Sequence, residues 1–142
     1  MRRLARLAER GVDVLRVSSF YETPAWPDAS APAFVNAVAA VNTTLQPVEL
    51  LALLHGVETE FGRMRSAPNA PRTLDIDLID HDGRVMEGAL ILPHPRAASR
   101  AFVLVPLAEI APDWRHPVTG QGVTELLAGL PAAELAAVKK LA

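Results

Sequence analysis

The sequence predicts an α+β sandwich, an antiparallel sheet with helices on one face. Three observations predict it. Two runs rich in Val and Thr, 12–23 and 34–45, flank a proline-rich loop. A run with apolar residues at helical spacing follows them, and a third strand-like run alternates apolar and acidic residues over 73–80. Helix-strand-strand-helix-strand order, with accessory helices after it, suggests an antiparallel sheet with helices on one face.

Each element has its own signal. MRRLARLAERG places Leu4 and Leu7 on one helical face and Arg on the other, with Gly11 as the stop. No apolar stretch follows the arginines, so a signal peptide is excluded; a surface helix is favoured over a transit peptide. Residues 12–23 form a strand through Val14, Val17, Phe20 and Tyr21. Pro24, Trp26, Pro27 and Pro32 shape the next loop. Residues 34–45 form the second strand. Pro47 opens a helix over 48–61, with apolar residues at 50, 51, 54, 57 and 61, and Gly62 ends it. After the third strand, His81-Asp82-Gly83-Arg84 reads as a hairpin turn, and Val85 and Met86 begin a return strand. Helices are expected over 100–110, disturbed by Pro106, over 123–130 and over 132–141. The whole chain, 1–142, reads as a single domain.

Composition narrows the function. Half of the 142 residues are hydrophobic, 21% are charged and the net charge is −2. This excludes a disordered tail and a globally basic nucleic-acid binder. The absence of cysteine removes disulfides, thiolate metal sites and cysteine nucleophiles. It also suits a cytoplasmic protein. No apolar run approaches the ~20 residues that span a bilayer, so no membrane is expected. Twelve of the 14 basic residues are Arg, six of them between positions 63 and 100. GC-rich coding accounts for the ratio but not for the placement.

The residues that can carry chemistry lie in APRTLDIDLI. On a strand, Leu74, Ile76 and Leu78 face the core, while Arg72, Asp75 and Asp77 share the other face. Two carboxylates this close need a cation between them. Mg²⁺ is the expected one, since it binds through one or two carboxylates plus substrate phosphates; such a pair can hold two ions. By pattern alone, a solvated edge strand explains D-x-D equally well. The surrounding arginines favour phosphate: Arg63 and Arg65 in GRMR, Arg72, and Arg100 after the LPHPR segment. His94, held between two prolines, could donate to a phosphate as a neutral imidazole. His55, His81 and His116 look like ordinary helix, turn and loop residues. No zinc-spaced motif and no Gly-rich phosphate loop occurs. Thr23, Pro24, Trp26, Phe34 and Asn36 could line an aromatic slot, with Asn36 suited to reading the edge of a flat heterocycle.

FYETPAW, FVNAVAAV, GRMR, APRTLDIDLI and LPHPRAASRAFVLVPLAEIAPDW occur here in an order and spacing that resemble the 6-hydroxymethyl-7,8-dihydropterin pyrophosphokinase family, across 12–118. The resemblance implies a ferredoxin-like sandwich. It also implies transfer of the β,γ-pyrophosphoryl unit of ATP to the pterin hydroxymethyl group, releasing AMP, with two Mg²⁺. Asp75 and Asp77 would be the Mg²⁺ ligands, and Arg63 and Arg72 would steady the transferring phosphates. Glu58, Arg65, Leu78, His94 and Arg100 match ATP-site positions; Thr23, Pro24, Trp26, Phe34, Asn36 and Phe102 match the pterin pocket. The small molecules are the expected partners, and a monomer the expected state, with a dimer as alternative. Pro68 stands where members usually carry Arg, Asn69 where Trp is common and Pro95 where some carry an aromatic. Members also begin with a strand ending in Gly-Ser-Asn, so a sheet lacking that first strand is expected. The first rival is a non-catalytic pterin- and ATP-binding domain of the same fold. An RNA-binding module of that fold is the second. Asp75 and Asp77 argue against it, because without metal they would repel phosphate.

Overall fold

The computed structural model describes residues 2–24, 30, 33–64 and 75–141, and the side chains of all of these save 2–4 and 62–64. The class is the expected one: α+β and ferredoxin-like, with helices set on antiparallel strand pairs.

Helix α1 (Arg2–Glu9) ends as its sequence requires. Gly11 takes φ +85°, its N–H bonds the Ala8 carbonyl and the Val12 N–H reaches back to the Leu7 carbonyl at 3.0 Å. This is a Schellman closure, whose accompanying apolar contact joins Val12 to Leu7 in the core. Glu60 of the following helix accepts from Arg6 and Arg10, fixing α1 against it.

Each expected long strand is divided in two, giving β1 (Asp13–Val17), β2 (Tyr21–Thr23), β3 (Phe34–Asn36) and β4 (Ala39–Asn42). β1 pairs with β4 and β2 with β3, so the four make one antiparallel ribbon with an interruption. Ser18 causes the interruption. Its N–H donates to the Val38 carbonyl, but its hydroxyl oxygen accepts from the Val38 N–H at 2.9 Å, standing in for a main-chain carbonyl. A bulge between Val14 and Arg16 leaves Leu15 outside the register and 60% exposed.

Helix α2 (Pro47–Met64) begins at the expected proline, and Glu49 accepts from the Gln46 N–H ahead of it. It runs past Gly62, the expected stop. Leu50, Leu54 and Val57 enter a core with Leu7 and Val12, against which Ile76 and Leu78 pack.

The expected third strand is corrected. Residues 73 and 74 lie outside the described residues, and 75–80 form no ladder among the described ones. The backbone groups a ladder would use are engaged elsewhere: the Ile76 N–H donates to Glu58 and the Ile79 carbonyl accepts from the His94 N–H. The expected turn is present, with Asp82 and Gly83 at φ +52° and +70°. The return strand is also corrected, because Met86 bonds forward to Leu92 rather than back to 75–80.

Helix α3 (Ala101–Ile110) is continuous through buried Pro106. It joins α4 (Val123–Ala128) in a second core of Leu104, Leu107 and Val123. The expected last helix is shorter, α5 (Ala132–Ala137). Lys139–Lys140 instead forms β5 on the free edge of β2, giving the order β3-β2-β5.

Candidate functional site

The face pattern expected of 75–78 survives without a ladder. Asp75 and Asp77 are exposed, whereas Ile76 and Leu78 are half-buried against the core. What sets the alternation is Glu58, on the same side of α2 as core residue Leu54. Its Oε2 accepts the Ile76 N–H at 2.6 Å, between the two aspartates. A carboxylate accepting from a backbone N–H makes a charge-assisted bond, stronger than a neutral one. Glu58 therefore holds the peptide that both aspartates flank.

Asp77 borders a cavity of about 230 Å³ between α2 and the 89–95 segment. Leu51, Ile76 and Leu78 give it an apolar wall, and His55 and His94 join Asp77 as its titratable groups. His94 is fixed at both ends: its N–H donates to Ile79 at 2.8 Å and its Nδ1 accepts from the Arg96 N–H at 3.2 Å. With Nδ1 an acceptor, the neutral ring carries its proton on Nε2, as a donor. His55, read from the sequence as an ordinary helix residue, lines this cavity. The signal lay in its spacing, four after Leu51 and three before Glu58, one face of α2.

The donor set fits Mg²⁺. Asp75 and Asp77 offer hard oxygen ligands on one open face, and among the described residues no group of three or more His, Cys, Asp or Glu could hold a metal by itself. A cation there would take its other ligands from water and phosphate, as Mg²⁺ does.

The remaining expected residues are only partly gathered. Arg100 precedes α3 and its guanidinium stands 5.4 Å from the Phe102 ring centroid. Thr23 is paired in register with Phe34, and Tyr21 with Asn36. Thr23 and Pro24 border a second cavity of about 620 Å³, also lined by Ala133 and Ala136 of α5. Phe34, Asn36 and Phe102 are not among its walls; Phe34 is 50% exposed on β3. Arg63 lies in the last turn of α2, its side chain outside the described set. Trp26, Arg65 and Arg72 lie outside the described residues, as do Pro68 and Asn69.

Comparison with known proteins supplies the family. The chain is 44% identical over 118 residues to a 2-amino-4-hydroxy-6-hydroxymethyldihydropteridine pyrophosphokinase of Synechocystis, covering 82% of this chain and 60% of that protein. It is 43% identical over 124 residues to the Methylorubrum extorquens protein of the same name, covering 87% and 77%. Over 121 residues it is 38% identical to the folic acid synthesis protein fol1 of Pneumocystis carinii, 84% of this chain but 16% of that one. The chain thus spans from about a sixth to about three quarters of the length of these relatives. The model of the 7,8-dihydro-6-hydroxymethylpterin-pyrophosphokinase family matches residues 1–112, and the chain belongs to that family.

Proposed function

We propose that this chain is an ATP-dependent pyrophosphokinase of folate biosynthesis, acting on 6-hydroxymethyl-7,8-dihydropterin. The hydroxymethyl oxygen forms a bond to the β-phosphorus of ATP, the bond from that phosphorus to the α,β-bridging oxygen breaks, and AMP leaves. The acceptor hydroxyl's proton is released to solvent water, and no covalent enzyme intermediate is required. Alignment of the two reactants can by itself supply about 7–11 kcal/mol.

The observation that carries this reading is the Asp75–Asp77 pair, held on an open face by Glu58 beside a cavity that Asp77 shares with His94. Asp75 and Asp77 would hold the magnesium, two ions in this reading, which neutralises phosphate charge when bound. His94 would donate from Nε2 to a phosphate oxygen, and Arg63, Arg65, Arg72 and Arg100 would complete the clamp. Leu78 would offer apolar surface to the nucleotide. Thr23, Pro24, Trp26, Phe34, Asn36 and Phe102 would form the pterin slot, Asn36 reading the heterocycle's edge. Residues 1–142 would act as one cytoplasmic domain, a monomer whose partners are these two small molecules. Among the described residues no helix is long and apolar enough to cross a membrane.

Incubation with ATP, Mg²⁺ and the pterin tests the proposal. AMP, released together with a diphosphorylated pterin, is expected. Release of ADP would overturn the proposal. Binding of both substrates without turnover would overturn it too, in favour of a non-catalytic domain.

A further inference from the structure

Among the described residues, Glu109 is the most heavily engaged acidic side chain outside the candidate site. It projects from the last turn of α3 yet reaches the break between β1 and β2. Its Oε2 accepts from the Ser19 N–H at 2.7 Å and the Ser19 hydroxyl at 3.1 Å, and its Oε1 accepts from the Tyr21 hydroxyl at 2.5 Å. All three donors come from Ser19 and Tyr21, 88 to 90 residues away in sequence, so the carboxylate binds a different part of the fold rather than its own helix.

The two partners are placed where the link matters. Tyr21 is buried and stands in register with Asn36 on one side and Lys140 on the other. Two residues on, Thr23 stands in register with Phe34. On α3, Phe102 lies seven residues before Glu109, two turns away on the same face. One carboxylate therefore ties the helix face bearing Phe102 to the strand pair bearing Thr23, Phe34 and Asn36.

We propose that Glu109 is a positioning residue for the pterin slot, setting through Tyr21 and Ser19 the separation between Phe102 on α3 and Asn36 on β3. This rests on the pterin reading above. The clamp differs from a general stabiliser in what it leaves untouched. Asp77 and His94 border the cavity between α2 and the 89–95 segment, and among the described residues no hydrogen bond joins Glu109, Ser19 or Tyr21 to either of them.

Two measurements test it. Tyr21 is the only tyrosine in the chain, so its ionisation can be followed by absorbance without labels. The Glu109 hydrogen bond, burial and the Glu109 charge push its pKa up to about 12. Wild-type protein should resist tyrosinate formation, and Glu109→Gln should begin to form it at clearly lower pH. Steady-state kinetics on Glu109→Gln and Tyr21→Phe should show the pterin KM raised about tenfold with the ATP KM unchanged. The double variant should be no worse than the worse single one, because both break one clamp. An ordinary Tyr21 titration in the wild type, a parallel rise in both KM values, or no change in either overturns the proposal while leaving the pyrophosphokinase reading intact. A wild type with the shifted tyrosine that neither binds nor turns over the pterin overturns that reading, and this proposal with it.

Discussion

At the scale of single residues, the candidate site depends on one donor-acceptor pair. The Ile76 N–H has no strand partner among the described residues and meets the Glu58 carboxylate instead. Asp75 and Asp77 then project to the open side because the residue between them is pinned. Two substitutions separate the two jobs. Asp77→Ala removes the proposed magnesium ligand from an exposed position, so folding should be unaffected while turnover falls by at least about a hundredfold, the loss of several kcal/mol of charge stabilisation. Unchanged Mg²⁺-dependent turnover would refute the assignment. Glu58→Ala removes a charge-assisted bond to the backbone, worth about 1.5–3 kcal/mol. Urea unfolding should show a loss of that size, and turnover should fall although neither aspartate has changed. Replacement by Gln keeps an acceptor for the Ile76 N–H and should restore most of the stability. The aspartates were legible in the sequence because alternation and charge mark them. Glu58's hold on Ile76 was not, since a helix glutamate carries no sign of which backbone group it will meet 18 residues on.

At the scale of elements, the sequence shows where the chain extends more readily than what it pairs with. Val and Thr marked both long strands, yet nothing in SSF or NAV announces that the Ser18 hydroxyl will replace a carbonyl and break the ribbon. Proline at Pro47 and glycine at Gly11 were read correctly because their effects are local. β5 was missed because Lys139 and Lys140 have no strand propensity of their own; they pair because the edge of β2 is available. The same element carries a pH prediction. Tyr21 binds its proton more tightly in the fold than in the unfolded chain, chiefly because its hydroxyl donates to Glu109. A raised folded pKa stabilises below the unfolded value of 10.0 and that stabilisation fades as pH rises towards about 12. Glu109 shifts the other way, lowered first by the Tyr21 hydroxyl and then by the Ser19 N–H. Its contribution is present above the ordinary Glu range and is lost as pH falls through its depressed folded value. Thermal unfolding of Tyr21→Phe should therefore approach the wild-type curve at alkaline pH. A constant gap between the two from pH 8 to pH 12 would contradict the bond.

At the scale of the whole molecule, two hydrophobic centres divide the work. One gathers Leu7, Val12, Leu50, Leu54 and Val57 beneath the aspartates. The other gathers Leu104, Leu107 and Val123 beneath the α3 face that carries Phe102 and Glu109. Among the described residues none belongs to both. They are joined by the ribbon, which gives Val14 to the first centre and Val38 to the second, and by Trp114, whose Nε1 donates to Asp80 at 3.2 Å. Shared backbone with separate packing implies one cooperative transition but independent local costs. Leu50 and Leu104 are each almost wholly buried, so truncating either to Ala should cost about 2–5 kcal/mol, the transfer free energy plus the cavity left behind. Because the two sites share no packing partners, Leu50→Ala and Leu104→Ala together should cost the sum of the singles to within about 0.5 kcal/mol. Denaturant unfolding of the four proteins, followed by Trp fluorescence and by circular dichroism, measures this cycle. Coincident transitions are expected from both probes. A coupling well above that margin would mean that the two centres pack as one. In a Trp26→Phe background, where Trp114 is the sole tryptophan, fluorescence changing ahead of circular dichroism would mean that the half containing Trp114 unfolds without the half containing the aspartates, and that the Trp114–Asp80 bond does not hold them together.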